Sequence, residues 1–199
     1  MKRLLCMALL ALLFPGLASA QKIGILPFED AAGVGPAFGE QVAKFIRSEF
    51  LKDKKFLPKF IAYKPAGEES SSIDVEKAIE LGKKNGVDYV VIGTILEAES
   101  NSSSSGLGGI HVLGQSVGSS LRTVSATITI QGDLISIKKG ELVESFRESG
   151  SKTDPSVGAD VSTEWGSLNS DQNSGNNTPN AQALREAVEK LVEEMTGKL

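Results

Sequence analysis

The residues able to do chemistry are few and widely spaced. Carboxylates pair at Glu29-Asp30 and at Glu97 with Glu99. Acid–base cleavage of a glycoside needs two carboxylates set across a cleft. Glu97 and Glu99 are two apart in a strand-like stretch, so they share one face. They read as solvated surface charge. His111 is the only histidine, and a triad or a histidine metal site needs partners for it that the sequence does not supply. Asp30 is followed by Gly33, but neither GxxxxGK[ST] nor GxGxxG occurs, so no phosphate-binding loop is expected. The one cysteine, Cys6, lies close to the N-terminus. These residues predict no catalytic site, no metal site and no cofactor.

The elements around them are clearer. Residues 1–20 have the form of a secretory signal, with Lys2 and Arg3 at the start, an apolar run Leu4–Phe14, a Pro15-Gly16 break and Ala18-Ser19-Ala20 before the cut. The mature chain is then expected to begin at Gln21 and to contain no cysteine, hence no disulfide, thiol nucleophile or cysteine metal ligand. Without the leader the chain has 19 basic against 25 acidic side chains, and its formal charge goes from -4 to -6. The basic residues are scattered and the balance is acidic, which argues against nucleic acid as a partner.

The organising stretch is Asp88–Ser105. Its run Tyr89-Val90-Val91-Ile92 is short and β-branched, and predicts a strand buried on both faces, ending in a polar Ser-rich tract. A helical pattern from Val75 to Lys84 precedes it, capped by Ser72 or Asp74 and closed by Asn85-Gly86. Ala78 and Gly82 are small enough to let that helix lie close to a sheet. Upstream, Lys22–Phe28 predicts a strand and Glu29–Gly33 a turn. Phe38, Val42, Phe45, Ile46 and Phe50 make one face of a helix opened by Gly35-Pro36. Phe56–Tyr63 predicts a second strand, which Pro58 places at an edge or makes begin late.

Beyond Ser105 the pattern is all β. Gly106–Gly109 reads as a hinge, and Ile110 and Val112 alternate with His111 and Leu113. Val124, Ala126, Ile128 and Ile130 alternate with Thr123, Ser125, Thr127 and Thr129. Ile135–Lys138 and Leu142–Phe146 flank a Lys139-Gly140 turn. Val157, Ala159, Val161 and Trp165 alternate with polar residues, and 166–178 predicts a flexible loop. A last helix begins with Thr178 as cap and Pro179 at its first position, with Leu184, Ala187, Val188, Leu191, Val192 and Met195 in one stripe. The expected fold is α/β (α+β): a mixed sheet packed by three helices, with β-hairpin extensions between the second and third helices.

The segments KIGILPFED, DYVVIGTILEAESN with its Gly-rich continuation, VSATITIQGDLISIKKGEL and LREAVEKLVEEM resemble the curli production assembly/transport component family. The resemblance runs from about Lys22 to the C-terminus and implies a single domain over 21–199. It implies an oligomeric, exported protein of the periplasm or outer membrane, with envelope proteins or an exported polypeptide as partners. In the family's secretion channel each subunit lends two β-hairpin segments to a barrel. The matching spans here are 106–130 and 143–165. A membrane-spanning strand takes about 9–11 alternating residues. The resemblance thus makes Val124, Ala126, Ile128, Ile130, Val157, Ala159, Val161 and Trp165 candidate lipid-facing residues, with Trp165 at an interface. The alternative is a soluble periplasmic interaction module of the same fold, assisting envelope assembly or activating a partner enzyme.

Overall fold

The computed structural model describes residues 20–35, 37–63, 73–106, 110–112, 115–117, 120–157 and 178–199. The predicted leader up to residue 19, the 166–178 loop up to residue 177, and Ala159, Val161 and Trp165 lie outside the described residues.

Eleven elements follow in order among the described residues. They are β1 (Gln21–Ile25), β2 (Glu29–Asp30), α1 (Phe38–Phe50), β3 (Phe56–Phe60), α2 (Val75–Asn85), β4 (Tyr89–Gly106), β5 (Ile110–Val112), β6 (Gln115–Val117), β7 (Ser120–Ser136), β8 (Glu141–Val157) and α3 (Pro179–Thr196). The main sheet runs β3-β1-β4-β7-β8, with β2 added to β4 beyond β1. β1 is parallel to β3 and β4, while β7 is antiparallel to both β4 and β8. This is a mixed α+β sheet with three helices, as the sequence predicts. β3 is at the edge, where Pro58 removes no ladder bond that the sheet needs.

Two cores flank the sheet. On one face α1 and α3 bury Phe38, Phe45, Ile46, Leu184, Leu191 and Met195 against Ile23, Val91, Ile95 and the even-numbered side of β7. On the other, α2 brings Ala78 against Leu26, Val87, Val90, Ile92 and Ile135. Val90 and Ile92 go to one core and Val91 to the other, so the apolar run is buried on both faces. A Cβ at Gly82 would come within 2.4 Å of the Ile137 side chain and 2.8 Å of Val90, so the glycine sets how close α2 sits.

The caps follow from local chemistry. The Asp74 side chain accepts the Lys77 N–H at 2.7 Å and starts α2, and Gly86 ends it in the left-handed region at φ 66°. Thr178 accepts the Ala181 N–H at 3.2 Å and Pro179 follows it. The predicted turn at Glu29–Gly33 is a two-residue strand followed by bends, in which Asp30 Oδ2 accepts the Gly35 N–H at 2.7 Å.

The strands after α2 are longer than their apolar patterns. β4 does not stop at the Ser-rich tract but continues through it to Gly106, 18 residues in all. β7 and β8 have 17 residues each, where the hairpin pattern at Ile135–Phe146 predicts a short pair. Ladder bonds use the backbone alone, so a partner in register carries the Ser tract as a strand.

Candidate functional site: a long three-stranded blade

Only the lower part of β4 is flanked by further strands of the main sheet. β1 meets β4 at Tyr89–Val91 and β2 meets it at Thr94–Ile95. Beyond Ile95, β4 has no strand on that side among the described residues, while its ladder with β7 runs on to Gly106. β8 pairs with β7 along its whole length and has no strand on its outer side among the described residues. The upper parts of β4, β7 and β8 therefore form a blade with two unpaired edges. Such edges offer backbone N–H and C=O groups to a further strand, and on β8 α3 takes two of them, the Ser149 carbonyl through Lys190 and the Ser151 N–H through Glu186.

A bulge sets the faces of the blade. Ile95 stands opposite Ile130, and Glu97 opposite Thr129, so Leu96 is an extra residue in β4. The bulge shifts the phase of β4 by one. Ile95 and Ala98 then both pack on the α3 side, and Glu97 and Glu99 fall on the other face.

That outer face is a hydroxyl ladder. Rows run Glu97-Thr129-Ser149, Glu99-Thr127-Ser151 and Asn101-Ser125-Thr153. The Thr129 hydroxyl lies 3.2 Å from Glu97 Oε2 and 2.9 Å from the Ser149 hydroxyl. Thr127 and Ser151 hydroxyls are 3.3 Å apart. Glu97 and Glu99 share this face and are exposed, as the strand spacing predicts. The first is hydrogen-bonded into the ladder, and neither faces a second carboxylate across a cleft. His111 lies on β5, which pairs with β6 in a separate two-stranded ribbon between β4 and β7.

The inner face carries Val124, Ala126, Ile128 and Ile130, four of the residues expected to contact lipid. Val124, Ala126, Ile128 and Ile130 are all 1% exposed or less. Ala126, Ile128 and Ile130 share one core with Ala183, Leu184 and Ala187 of α3. The physical reason is the third helix, whose apolar stripe needs a partner face and takes this one. Gly150 in β8 makes room for it: a Cβ there would come within 1.9 Å of the Ala183 carbonyl oxygen. At the upper end of α3, Ser100 donates its hydroxyl to Asn180 Oδ1 at 3.1 Å. Val157 ends β8, and Ala159, Val161 and Trp165 fall outside the described residues. The sheet is open among the described residues, and no helix among them is long and apolar enough to cross a membrane.

Charged groups along α3 tie it to β8. Lys190 Nζ lies 2.7 Å from Glu186 Oε1 and 2.9 Å from the Ser149 carbonyl, and the Ser151 N–H donates to Glu186 Oε2 at 3.4 Å. The Lys190 hydrogen bond, opposed by desolvation and helped by the Ser151 amide, holds the Glu186 carboxyl below its ordinary range. The sequence predicts β-hairpin extensions between the second and third helices but not that β4 runs on through the Ser tract, because that length lies in backbone pairing of polar residues. The signal available was the in-phase alternation of Thr123–Ile130 facing a Ser tract of matching length.

The family model for the curli production assembly/transport component CsgG matches residues 68–199. A comparison with curated proteins finds no match. Among solved structures, the hypothetical protein CT253 from Chlamydia trachomatis is 14% identical over 90% of this chain and 98% of that one, with a TM-score of 0.52, which shows a shared fold. A PelC dodecamer from Paraburkholderia phytofirmans is 12% identical over 89% of this chain and 90% of that chain, with a TM-score of 0.44. Lipoprotein GNA1162 from Neisseria meningitidis is 14% identical over 89% and 99%, with a TM-score of 0.42. The family match covers all of α2, the long strands of the blade and α3, which is most of the sheet and two of its three helices, and the chain belongs to the curli production assembly/transport component CsgG family.

Proposed function

We propose that this protein is an exported component of a bacterial cell envelope, located in the periplasm or at the outer membrane, that works as a homo-oligomer in assembly or protein export of the curli type. The observation that carries the reading is the blade with two unpaired edges. β4 and β8 run in the same direction on either side of β7. The free edge of β8 in one copy therefore meets the free edge of β4 in the next as a parallel pair. The contact is heterologous, and repetition closes a ring where the rotation permits it. Family membership supports the same role, and the exported polypeptide would be the transported partner.

A second reading has its own support. The outer face of the blade is lined by Ser, Thr, Asn and Glu, and the inner face is taken up by α3. Both suit a water-surrounded sheet, and so a periplasmic interaction module that assists envelope assembly or activates a partner enzyme.

Cysteine cross-linking separates the two. Cys6 is the only native cysteine, so Cys6→Ser with Asn101→Cys and Thr153→Cys places one thiol on each edge strand. Within one copy β7 keeps the two thiols apart. Edge pairing between copies gives a disulfide ladder on a non-reducing gel, collapsed by reductant, and a species of the outer membrane fraction that resists a urea wash. A monodisperse monomer in the periplasmic fraction, with no ladder, rules out the oligomer and leaves the interaction module.

A further inference from the structure

The edge of β8 is not open along its whole length. In an antiparallel ladder successive residues turn their N–H and C=O groups alternately towards the partner strand and away from it. The Ser151 N–H donates to Glu186 Oε2 at 3.4 Å, and the Ser149 carbonyl accepts from Lys190 Nζ at 2.9 Å. Both partners belong to α3, so Ser149 and Ser151 turn away from β7. The β7–β8 ladder runs from Ser149 to Val157 without a shift in register. The outward row therefore continues through Thr153 and Pro155 to Val157.

Groups in that row are withdrawn at Ser149, Ser151 and Pro155. Glu186 and Lys190 stand one helical turn apart and 2.7 Å from each other, and together they occupy the Ser151 N–H and the Ser149 carbonyl. Proline has no N–H, so position 155 offers only its carbonyl. A tie between helix and strand accounts for Glu186 and Lys190. It does not account for a proline in the same row. Charged side chains laid on an edge, and proline with its nitrogen turned outward, are two devices that stop strand addition. The edge of β4 differs. Thr129 and Thr127, opposite Ser149 and Ser151, turn their backbone groups to β4. The residues of β4 that turn outward are then Ala98, Ser100, Ser102, Ser104 and Gly106, and none of them is proline.

We infer that α3 and Pro155 guard the β8 edge, so that a second copy of this chain pairs with β8 only about Thr153, and that releasing the guard lengthens and tightens the contact. The partner is a second copy because its β4 is the edge without a proline, running in the same direction as β8. The inference rests on the edge pairing proposed above and adds where on β8 that pairing occurs and what holds it in check. With the rows of the blade level, Thr153 stands beside Asn101 of the next copy. Ser149, held by Lys190, stands beside Glu97 of that copy without bonding to it.

Cysteine pairs in the full chain test it. In a Cys6→Ser background one pair is Asn101→Cys with Thr153→Cys and the other is Glu97→Cys with Ser149→Cys. Each pair is combined with Glu186→Ala and Lys190→Ala, or with Pro155→Thr, and the disulfide ladder is followed against protein concentration. Alanine keeps the helix, and Pro155→Thr leaves α3 untouched. Circular dichroism establishes that each variant is folded. The parent should cross-link through the Asn101 pair and not through the Glu97 pair. Each hydrogen bond gained in the contact strengthens it about fivefold. Removing Glu186 and Lys190 should therefore bring in the Glu97 pair and lower the concentration for half cross-linking by at least about tenfold. Pro155→Thr should lower it about fivefold for the Asn101 pair. A parent that cross-links equally through both pairs, or a parent ladder that neither variant strengthens, would overturn the guard and leave the assembly standing. A ladder in the variants but not in the parent would uphold the guard and remove the working homo-oligomer. No ladder in any of them would overturn both.

Discussion

Gly150 lies so close under Ala183 that a Cβ built on the glycine would meet the Ala183 carbonyl oxygen at 1.9 Å and the Ala187 amide nitrogen at 2.7 Å. The contact is backbone on both sides, so no flexible side chain can give way. α3 therefore rests directly on β8, and its position over the blade is fixed by one missing methyl group. Gly150→Ala forces the helix outward along the core it shares with Ile128 and Ile130. The expected loss is about 2–3 kcal/mol, the range of overpacking in a well-filled core. Urea unfolding checks it: the midpoint should fall with little change in slope. Gly140→Ala serves as the contrast. Gly140 has open space around it but a φ of 72°, so its cost is backbone strain of about 1 kcal/mol.

The two faces of β7 should respond oppositely to substitution. Ile128 is fully buried among α3 residues, and Thr127 is partly exposed on the hydroxyl ladder. Ile128→Ala removes buried methyl groups and should cost about 2–5 kcal/mol. Thr127→Val keeps the shape and the β-branch and should stay within about 0.5 kcal/mol. Thermal melts in plain buffer read both. If Ile128 faced lipid, Ile128→Ala would be nearly neutral in detergent-free solution.

How much of this was legible is clear from particular residues. Elements with a strong local signal were readable: the Phe38–Phe50 stripe, the Asp74 and Gly86 caps of α2, the Thr178-Pro179 start of α3, and Val90–Ile92 buried on both sides. Pro58 left β3 either at an edge or starting late, and the structure has it at the edge, beginning at Phe56. β-Hairpin extensions between the second and third helices were readable, but the strand through Ser100–Ser105 was not, because it has no apolar pattern and depends on pairing with Leu121–Ala126 far along the chain. The bulge at Leu96 was hidden for the same reason, since it exists only relative to β7. The alternation from Val124 to Ile130 was visible, but alternation names a buried face without naming what covers it. Lipid and the α3 stripe answer that pattern equally well, and only the fold shows that α3 is the cover.

The Thr178 cap isolates a smaller term. Its side chain accepts the Ala181 N–H at 3.2 Å, satisfying one of the orphan donors at the start of α3. Thr178→Ala should cost about 1 kcal/mol. Thr178→Ser should recover most of it, because the hydroxyl is the group in use. The pair of melting curves distinguishes a lost cap from a general loosening of the residues around position 178.

The last prediction concerns pH. Glu186 bridges Lys190 at 2.7 Å and the Ser151 amide at 3.4 Å, so it anchors α3 to the blade edge through its charged form. The Lys190 hydrogen bond is the largest influence on it, and desolvation works against it. The net effect holds the carboxyl below its ordinary value. In the unfolded chain the same carboxyl takes up its proton near pH 4.3, at a higher pH than in the folded protein. As the pH falls through that range the unfolded state binds the proton first, so the contribution from Glu186 is present above about pH 4.3 and is lost below it. Glu186→Gln removes the titration while keeping the shape. Relative to the parent, the variant should be less stable at neutral pH, and the gap should narrow as the solution is acidified. Urea midpoints collected from neutral to acid pH read this directly. A gap that stays constant would mean that Glu186 acts through packing alone. A gap that widens in acid would reverse the sign assigned to its ion pair with Lys190.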